Sequence, residues 1–176
     1  DSVYERLKDS MDIREFINYL IAETYSNNFD WPSNNVKIWQ QKGVSKWRWM
    51  LFDMDFGFGG FGDIFSNMLD KAYNMSYFPT SSIIFPHLME NNQFRAEFVQ
   101  TYAAHLNITF QYKRVKYIID SIARLVQPEV ERHSARWKAD GSIQSLSTWS
   151  LHLNGARNFA SVRPNVQWNH LKGFMG

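Results

Sequence analysis

The 176-residue sequence contains no cysteine, and this absence excludes three kinds of chemistry at once. A chain without thiols forms no disulfide, no zinc–thiolate site and no cysteine nucleophile. The sequence also lacks any run of about 18 apolar residues, the length that a membrane-spanning helix requires. Its net charge of +2 is too small to indicate nucleic acid or a membrane surface as a partner.

Aromatic side chains, in contrast, are plentiful. The 7 Trp, 8 Tyr and 14 Phe make up 16% of the sequence. This content favours a large aromatic core, with surface platforms for sugars or peptides as the alternative. The hydrophobic content of 44% and charged content of 20% are ordinary for a globular protein. The length suits one domain, which we place over residues 1–176.

The first predicted elements are a helix and a β-hairpin. Asp12 and Glu15 have the spacing of a capping box, and apolar residues then repeat at helical spacing over Ile13–Tyr25. The apolar segments Val36–Trp39 and Lys46–Asp53 are typical of strands. A turn containing Gly43 would join them into a hairpin over about 35–53.

From about residue 64 to 173 the pattern is helical. Four-residue steps predict a helix over Asn92–Phe110, and a second apolar face covers Val115–Val126 and stops at Pro128. We expect the remaining helices to be Glu129–Lys138 and a last one from about Gln144 to His170. The prediction also places punctuation at Asp140–Ser142 and a kink or break at Arg163–Pro164. The predicted fold class is mainly α with one short β-hairpin (α+β).

Two loops flank the predicted hairpin and hold the residues best suited to chemistry. Asp30 is followed five positions later by Asn35, and Asp53 and Asp55 precede Gly57. This is the order of the catalytic loop and metal-binding loop of a protein kinase. Because the hairpin starts near one loop and ends at the other, we expect Asp30 and Asp53 to lie at the same end of it.

Phosphoryl transfer explains why these residue types would be needed. The reaction requires a positioned nucleophile and metal ions that offset the charge on the phosphoryl oxygens. Asp30 can accept the proton of an acceptor hydroxyl. Asn35 offers a neutral oxygen to a hard cation, and Asp53 or Asp55 can bridge metal and phosphates.

Simpler interpretations remain open for each segment. Asp30 and Asn35 are also common turn residues beside a proline. The pair Asp53 and Asp55 is more specific, since residues two apart on a strand share a face and two acids there indicate a divalent metal. The glycines of 57–62 fit Gly-x-Gly-x-x-Gly, but no βαβ pattern or ribose-binding acid follows, so we predict a flexible segment after the metal loop and not a dinucleotide site.

Two other functions fit the same sequence. A non-catalytic domain could hold a glycan or a peptide with tryptophan side chains, and clustered acids could also hold metals for a phosphohydrolase. The tryptophans concerned are Trp31, Trp39, Trp47 and Trp49.

A family resemblance lies in three segments: Glu15-Phe-Ile-Asn-Tyr-Leu-Ile-Ala-Glu23, Asn28-Phe-Asp-Trp-Pro-x-x-Asn35 and Trp47-x-Trp-x-x-x-Asp53-x-Asp55-x-Gly57. They resemble the spore coat protein H (CotH) kinase family. Asn92-x-Phe-Arg95 and Arg163 also resemble the helical region of that family, so the resemblance extends from about Asp12 to Leu171.

The resemblance implies the C-terminal lobe of an atypical protein kinase that uses ATP with Mg²⁺ or Mn²⁺ to phosphorylate Ser or Thr of protein substrates. By motif, Asp30 would be the catalytic base, and Asn35, Asp53 and Asp55 would bind the metal and the nucleotide phosphates. Asp53 matches the family spacing, whereas Asp55 matches the letters Asp-Phe-Gly. We favour Asp53 as the main ligand and keep Asp55 as a second. A secreted, cell-surface or spore-coat location is also implied.

The front of the sequence departs from a complete kinase. Only 29 residues precede Asp30, and they are mainly helical in pattern, with no strand carrying a phosphate-binding lysine. We therefore expect the sequence, which opens on Asp1, to belong to a longer protein whose N-terminal lobe binds the nucleotide. The isolated fragment is expected to be inactive.

Overall fold

One buried helix organises the computed structural model, which describes residues 2–74, 83–137 and 145–175. Helix α1, Ser2–Ser10, precedes this helix, α2, which spans Ile13–Ser26. The predicted cap is confirmed, because the Asp12 side chain accepts a hydrogen bond from the Glu15 amide. The helix ends at Asn27, whose backbone is left-handed (φ 59°) and whose N–H donates to the Glu23 carbonyl. Asparagine tolerates this conformation better than most residues do.

The predicted hairpin is present, but its strands are shorter than expected. Strand β1 is Ile38–Trp39 and strand β2 is Arg48–Trp49, paired antiparallel with Ile38 opposite Trp49. Apart from Trp49, the paired residues are exposed. A strand pair with little apolar burial has no reason to extend further. The segment that follows β2 leaves the ladder to pack on the end of α2.

The rest of the described chain is helical, as predicted from residue 64 onward. Its elements are α3 Met68–Tyr73, α4 Ile84–Glu90, α5 Asn92–Ala104, a π-helical turn His105–Thr109, α6 Tyr112–Val126, a 3₁₀ turn Gln127–Glu129, α7 Val130–Trp137 and α8 Leu146–Met175. No helix among the described residues is long and apolar enough to span a bilayer. The predictions for Gln144 and for Asp140–Ser142 lie outside the described residues.

Two helices differ from their predicted form. The helix predicted over Asn92–Phe110 changes from α to π geometry at His105. The last helix is continuous through Pro164 and extends to Met175. The break that was predicted as an alternative to a kink at Arg163–Pro164 is therefore not present. Arg163 and Gln167 lie on either side of the proline, and both donate to the Thr24 carbonyl, which holds both halves of α8 on α2.

The aromatic residues form the core that the composition favoured. Phe94, Phe98 and Tyr102 lie on one face of α5 and are fully buried. Tyr25 stacks on Phe110 with ring centroids 3.7 Å apart, and Phe159 of α8 meets the edge of Tyr25 at 6.0 Å. This packing surrounds the C-terminal half of α2.

Arg163 of α8 is the largest fully buried side chain of the described residues. Its guanidinium donates to four carbonyl oxygens at 2.7–3.1 Å. Two belong to Thr24 and Tyr25 in the last turn of α2, and two belong to Ile64 and Ser66 in the loop before α3. Desolvation lowers the pKa of Arg163 to about 10, so the group stays charged at neutral pH. A buried cation here neutralises the negative end of the α2 dipole.

Replacing Arg163 by Met is expected to lower the free energy of unfolding by about 3 kcal/mol, because buried carbonyl groups lose their donors. Urea denaturation measures this change. Arg157→Met provides the matched control on the same helix, because Arg157 pairs with Asp120 near the surface and its loss should barely move the midpoint. Equal midpoints for the two variants would contradict the assigned role of Arg163.

Candidate active site

The first candidate loop leaves the end of α2 and is fixed by its own backbone. The half-buried Asp30 starts a tight turn: its carbonyl accepts from the Asn34 amide at 2.9 Å and from the Ser33 hydroxyl at 2.7 Å. At the end of the loop Asn35 has a left-handed backbone (φ 58°). Asp30 therefore starts a turn, as the simpler interpretation expected, but it does so with its backbone carbonyl. Its carboxylate makes no hydrogen bond with the described residues.

Trp31 anchors this loop to α2. Its side chain is 3% exposed, and its indole N–H donates to the Tyr19 hydroxyl at 2.7 Å. The two rings also meet edge to face at 6.2 Å. Trp31 is therefore a structural residue and not a binding platform. Asp30, the residue before it, is held at the point where the chain emerges from the core.

The hairpin is attached at the opposite end of α2. The Trp49 amide donates to Glu15 Oε2 at 3.0 Å, and Arg48 forms an ion pair with Asp12 at 2.9 Å. Burial raises the pKa of Glu15, an effect that the Trp49 amide partly offsets. The first turn of α2 thus holds β2, and β2 leads directly into the second candidate loop.

The second loop docks on the residues that follow α2. Phe58 donates its amide to the Ser26 carbonyl at 2.8 Å, and the Asn27 side chain donates to the Asp63 carbonyl at 3.1 Å. The Asn28 side chain donates to the Asp53 carbonyl at 3.4 Å. Three successive residues, Ser26, Asn27 and Asn28, therefore hold the second loop against the end of α2.

Asn28 also joins the two candidate loops to each other. Its backbone carbonyl accepts from the Trp31 amide at 3.2 Å, next to Asp30, while its side chain contacts the Asp53 backbone. The expectation that Asp30 and Asp53 lie at the same end of the hairpin agrees with this link. Within the described part of the chain, no hydrogen bond or ion pair joins the side chains of Asp30, Asn35, Asp53 and Asp55 directly to one another.

The prediction that Asp53 and Asp55 share one face of a strand is wrong. Strand β2 ends at Trp49, Asp53 has a left-handed backbone (φ 55°), and Asp55 lies in a turn. Residues held in this region of backbone space are uncommon, and they concentrate at functional sites. Among the proposed ligands, Asp53 shares this feature with Asn35.

The glycine segment 57–62 is a series of turns that packs against Ser26 and the residues after it. Gly57 is buried, and a Cβ there would meet the Met54 carbonyl at 3.0 Å and the Ser26 carbonyl at 3.3 Å. At Gly60 a Cβ would lie 2.7 Å from the Asp55 carbonyl oxygen. These glycines allow the close backbone approach that fixes the loop of Asp53 and Asp55.

Three of the four candidate side chains, those of Asn35, Asp53 and Asp55, are of types that can bind a cation shared with a ligand. Asp53 and Asp55 are exposed, and their carboxylates make no hydrogen bond or ion pair within the described ranges. No three His, Cys, Asp or Glu side chains among the described residues form a ready metal cage. Mg²⁺ commonly takes only one or two carboxylates from the protein and the rest of its ligands from phosphate and water. Two carboxylates and one amide oxygen are ligand types that fit that pattern.

The residues that support the two candidate loops were not among the predicted site residues. Glu23, Asn27 and Asn28 are fully buried polar residues at the end of α2. Three polar residues at the end of an apolar helical pattern could have indicated this supporting role. Polar groups are costly to bury unless they are hydrogen-bonded. In the sequence, Glu23 ends one family motif and Asn28 begins the next, but the pattern assigned neither residue a supporting role.

Together these features define a helical domain with two polar loops at one end of a hairpin, both supported by the end of a buried helix. The chain matches the family model described as CotH kinase protein over residues 1–166, and it belongs to the CotH kinase family. A search of curated proteins found no match, and a search of solved structures found none. The predicted family resemblance is therefore confirmed.

Gly60→Ala is expected to lower the free energy of unfolding by about 2 kcal/mol, because the new methyl group must displace the Asp55 carbonyl. Gly155→Ala is the matched control: Gly155 lies inside α8 with open space around its Cβ position, so alanine should stabilise the helix by about 0.5–1 kcal/mol. Urea denaturation of both variants measures the two changes. A neutral result for Gly60→Ala would mean that the turn is not closely packed.

Proposed function

We propose that this chain is the catalytic-loop lobe of an atypical protein kinase that transfers the γ-phosphoryl group of ATP to Ser or Thr of a protein substrate. The observation that carries the proposal is the link through Asn28, which holds the Asp30 and Asp53 loops together. Membership of the CotH kinase family supports it. Phosphoryl transfer needs mainly positioned groups, and two loops held by one buried residue supply positioning.

In this proposal Asp30 is the catalytic base. Its carboxylate accepts the proton of the acceptor hydroxyl as that oxygen attacks the γ-phosphorus. The bond from the γ-phosphorus to the bridging oxygen breaks, and ADP leaves with that oxygen. The Asn34 amide and the Ser33 hydroxyl bind the Asp30 carbonyl, so the backbone that carries the carboxylate is positioned before substrate arrives.

Asn35, Asp53 and Asp55 would hold Mg²⁺ or Mn²⁺ and, through it, the nucleotide phosphates. When bound, the metal would offset the negative charge on the phosphoryl oxygens. Asp53 remains our preferred main ligand, because Asn28 supports its carbonyl and its backbone conformation is constrained. Asp55 would be the second ligand.

The hairpin offers a surface for a nucleotide-binding lobe. Ile38, Val44, Met50 and Leu51 are 43–73% exposed and lie on or beside the two strands. An apolar patch next to a polar site commonly marks an interaction surface. We propose that the N-terminal lobe of the same protein covers this surface and that phosphoryl transfer requires both lobes. A secreted, cell-surface or spore-coat location belongs to the same proposal.

Asp30→Asn and Asp53→Asn should each abolish phosphate incorporation, for different reasons. The first removes the base, a loss of about 10²-fold or more, and should leave Mn²⁺ affinity unchanged. The second removes a ligand charge and should weaken Mn²⁺ binding. Transfer from γ-labelled ATP to protein, in a protein that carries this chain with its N-terminal lobe, measures activity. Paramagnetic titration measures Mn²⁺ affinity.

Asp9→Asn is the control, since Asp9 is an exposed acid on α1 and should leave both readouts unchanged. Retained labelling in either site variant would overturn the assignment. Release of inorganic phosphate without labelled protein would favour the phosphohydrolase. The glycan- or peptide-binding alternative depends on Trp39 and Trp47, which are exposed, since Trp31 and Trp49 are buried.

A further inference from the structure

A buried acid and a buried amide lie beneath the Asp53 loop, and the proposed chemistry does not use them. Glu23 is in the last turns of α2, Asn28 follows the helix, and neither residue is exposed to solvent. The Asn28 Nδ2 atom donates to Glu23 Oε2 at 2.9 Å. Within the described ranges Glu23 forms no ion pair. Its carboxyl group therefore has no cation to balance a negative charge.

Each group of this pair has one side-chain oxygen without a hydrogen-bond donor among the described residues. Glu23 Oε1 and Asn28 Oδ1 are buried, and neither accepts a hydrogen bond from any residue that the structure describes. Exchanging O and N of the Asn28 amide would not help, because its Nδ2 also donates to the Asp53 carbonyl at 3.4 Å. An ionised Glu23 would leave both oxygens as buried acceptors with no donor, which is an unfavourable arrangement.

One proton on Glu23 Oε1 would give both oxygens a hydrogen-bond partner. We infer that Glu23 is a neutral acid that donates its Oε1 proton to Asn28 Oδ1, and that it is thereby a positioning residue for the Asp53 loop. The acid and the amide then form a closed pair with one hydrogen bond in each direction. The second hydrogen of Asn28 Nδ2 remains for the Asp53 carbonyl.

The surroundings of Glu23 favour the neutral form. Burial raises the pKa of Glu23 to about 7, although the hydrogen bond from Asn28 acts against this shift. The ionisable groups nearby do not compensate a carboxylate. Tyr19, one turn earlier on α2, is neutral, and the guanidinium of Arg163 is bound to backbone carbonyls of α2 and of the loop before α3.

The consequence for the site depends on the proposed function, but the pairing does not. If the pair opens, Asn28 is free to rotate, and the Asp53 carbonyl loses its support. The proton on Glu23 would then control how firmly the metal-binding loop is held. Glu23 itself touches neither substrate nor metal in this arrangement.

Glu23→Gln is the decisive variant, because glutamine has the shape of the protonated acid and its amide can donate to Asn28 Oδ1. It should retain the fold and the loop. Glu23→Leu and Asn28→Leu remove the pair and should loosen the loop. Glu15→Gln, at the other end of α2, is the control.

Three measurements on the chain test the inference without ATP. Infrared spectra recorded about one pH unit below the folded pKa of Glu23 should show a protonated-carboxyl band that Glu23→Gln removes and Glu15→Gln leaves. Hydrogen exchange at the Phe58 amide, which donates to Ser26, should accelerate about tenfold or more in Glu23→Leu and Asn28→Leu and stay unchanged in Glu23→Gln.

The third measurement is the pH dependence of unfolding. Glu23 has a raised folded pKa, so its contribution is complete below about 4.5 and is lost as pH rises towards about 7. Relative to Glu23→Gln, the wild-type unfolding constant should rise about tenfold per pH unit across that window. A missing band, an unchanged pH profile or fast Phe58 exchange in Glu23→Gln would each overturn the inference. Loss of phosphate transfer alone would not bear on it.

Discussion

The contact between Arg163 and the last turn of α2 is the constraint on which the rest of the molecule depends. Helix ends leave carbonyl groups without partners, and a buried end requires donors from elsewhere. Here one guanidinium supplies them to Thr24 and Tyr25, and also binds the loop before α3 at Ile64 and Ser66. The helix end, α8 and the chain after the candidate site are thereby fixed relative to one another.

The residues after this fixed end position the site by hydrogen bonds to the backbone of the second loop. Ser26 and Asn27 bind the glycine segment and Asp63, and Asn28 binds Asp53. The other end of α2 holds the hairpin through Glu15. Because both ends of one helix are used, the distance between hairpin and loops is set by the rigid length of α2. Among the described residues, no side chain pairs with the carboxylates of Asp30, Asp53 and Asp55.

Much of this arrangement could be predicted from the sequence, because it is encoded locally. The Asp12 cap, the helical spacing of α2 and the motifs around Asp30, Asn35 and Asp53 are all short-range patterns, and the family to which those motifs pointed is confirmed. The aromatic content also predicted the core, because large apolar side chains are most stable when they are buried.

The missed features depend on contacts between distant segments. The strands stop early because their surface is not buried, and Asp53 turns left-handed because its loop docks on α2. The continuity of α8 through Pro164 depends on contacts of Arg163 and Gln167 with Thr24. Asn28 belongs to a family motif, but its supporting role could not be inferred from the sequence, since that role requires Glu23 and Asp53 beside it in space.

The left-handed backbone of Asn35 and Asp53 limits how this site can change in evolution. These positions favour asparagine, aspartate or glycine, and β-branched residues are strained there. Only the first two also bring an oxygen ligand. If the proposed function is correct, a relative that has lost catalysis but kept the fold is therefore expected to carry glycine at these positions more readily than alanine or valine. Such glycines would distinguish a pseudoenzyme from an active relative.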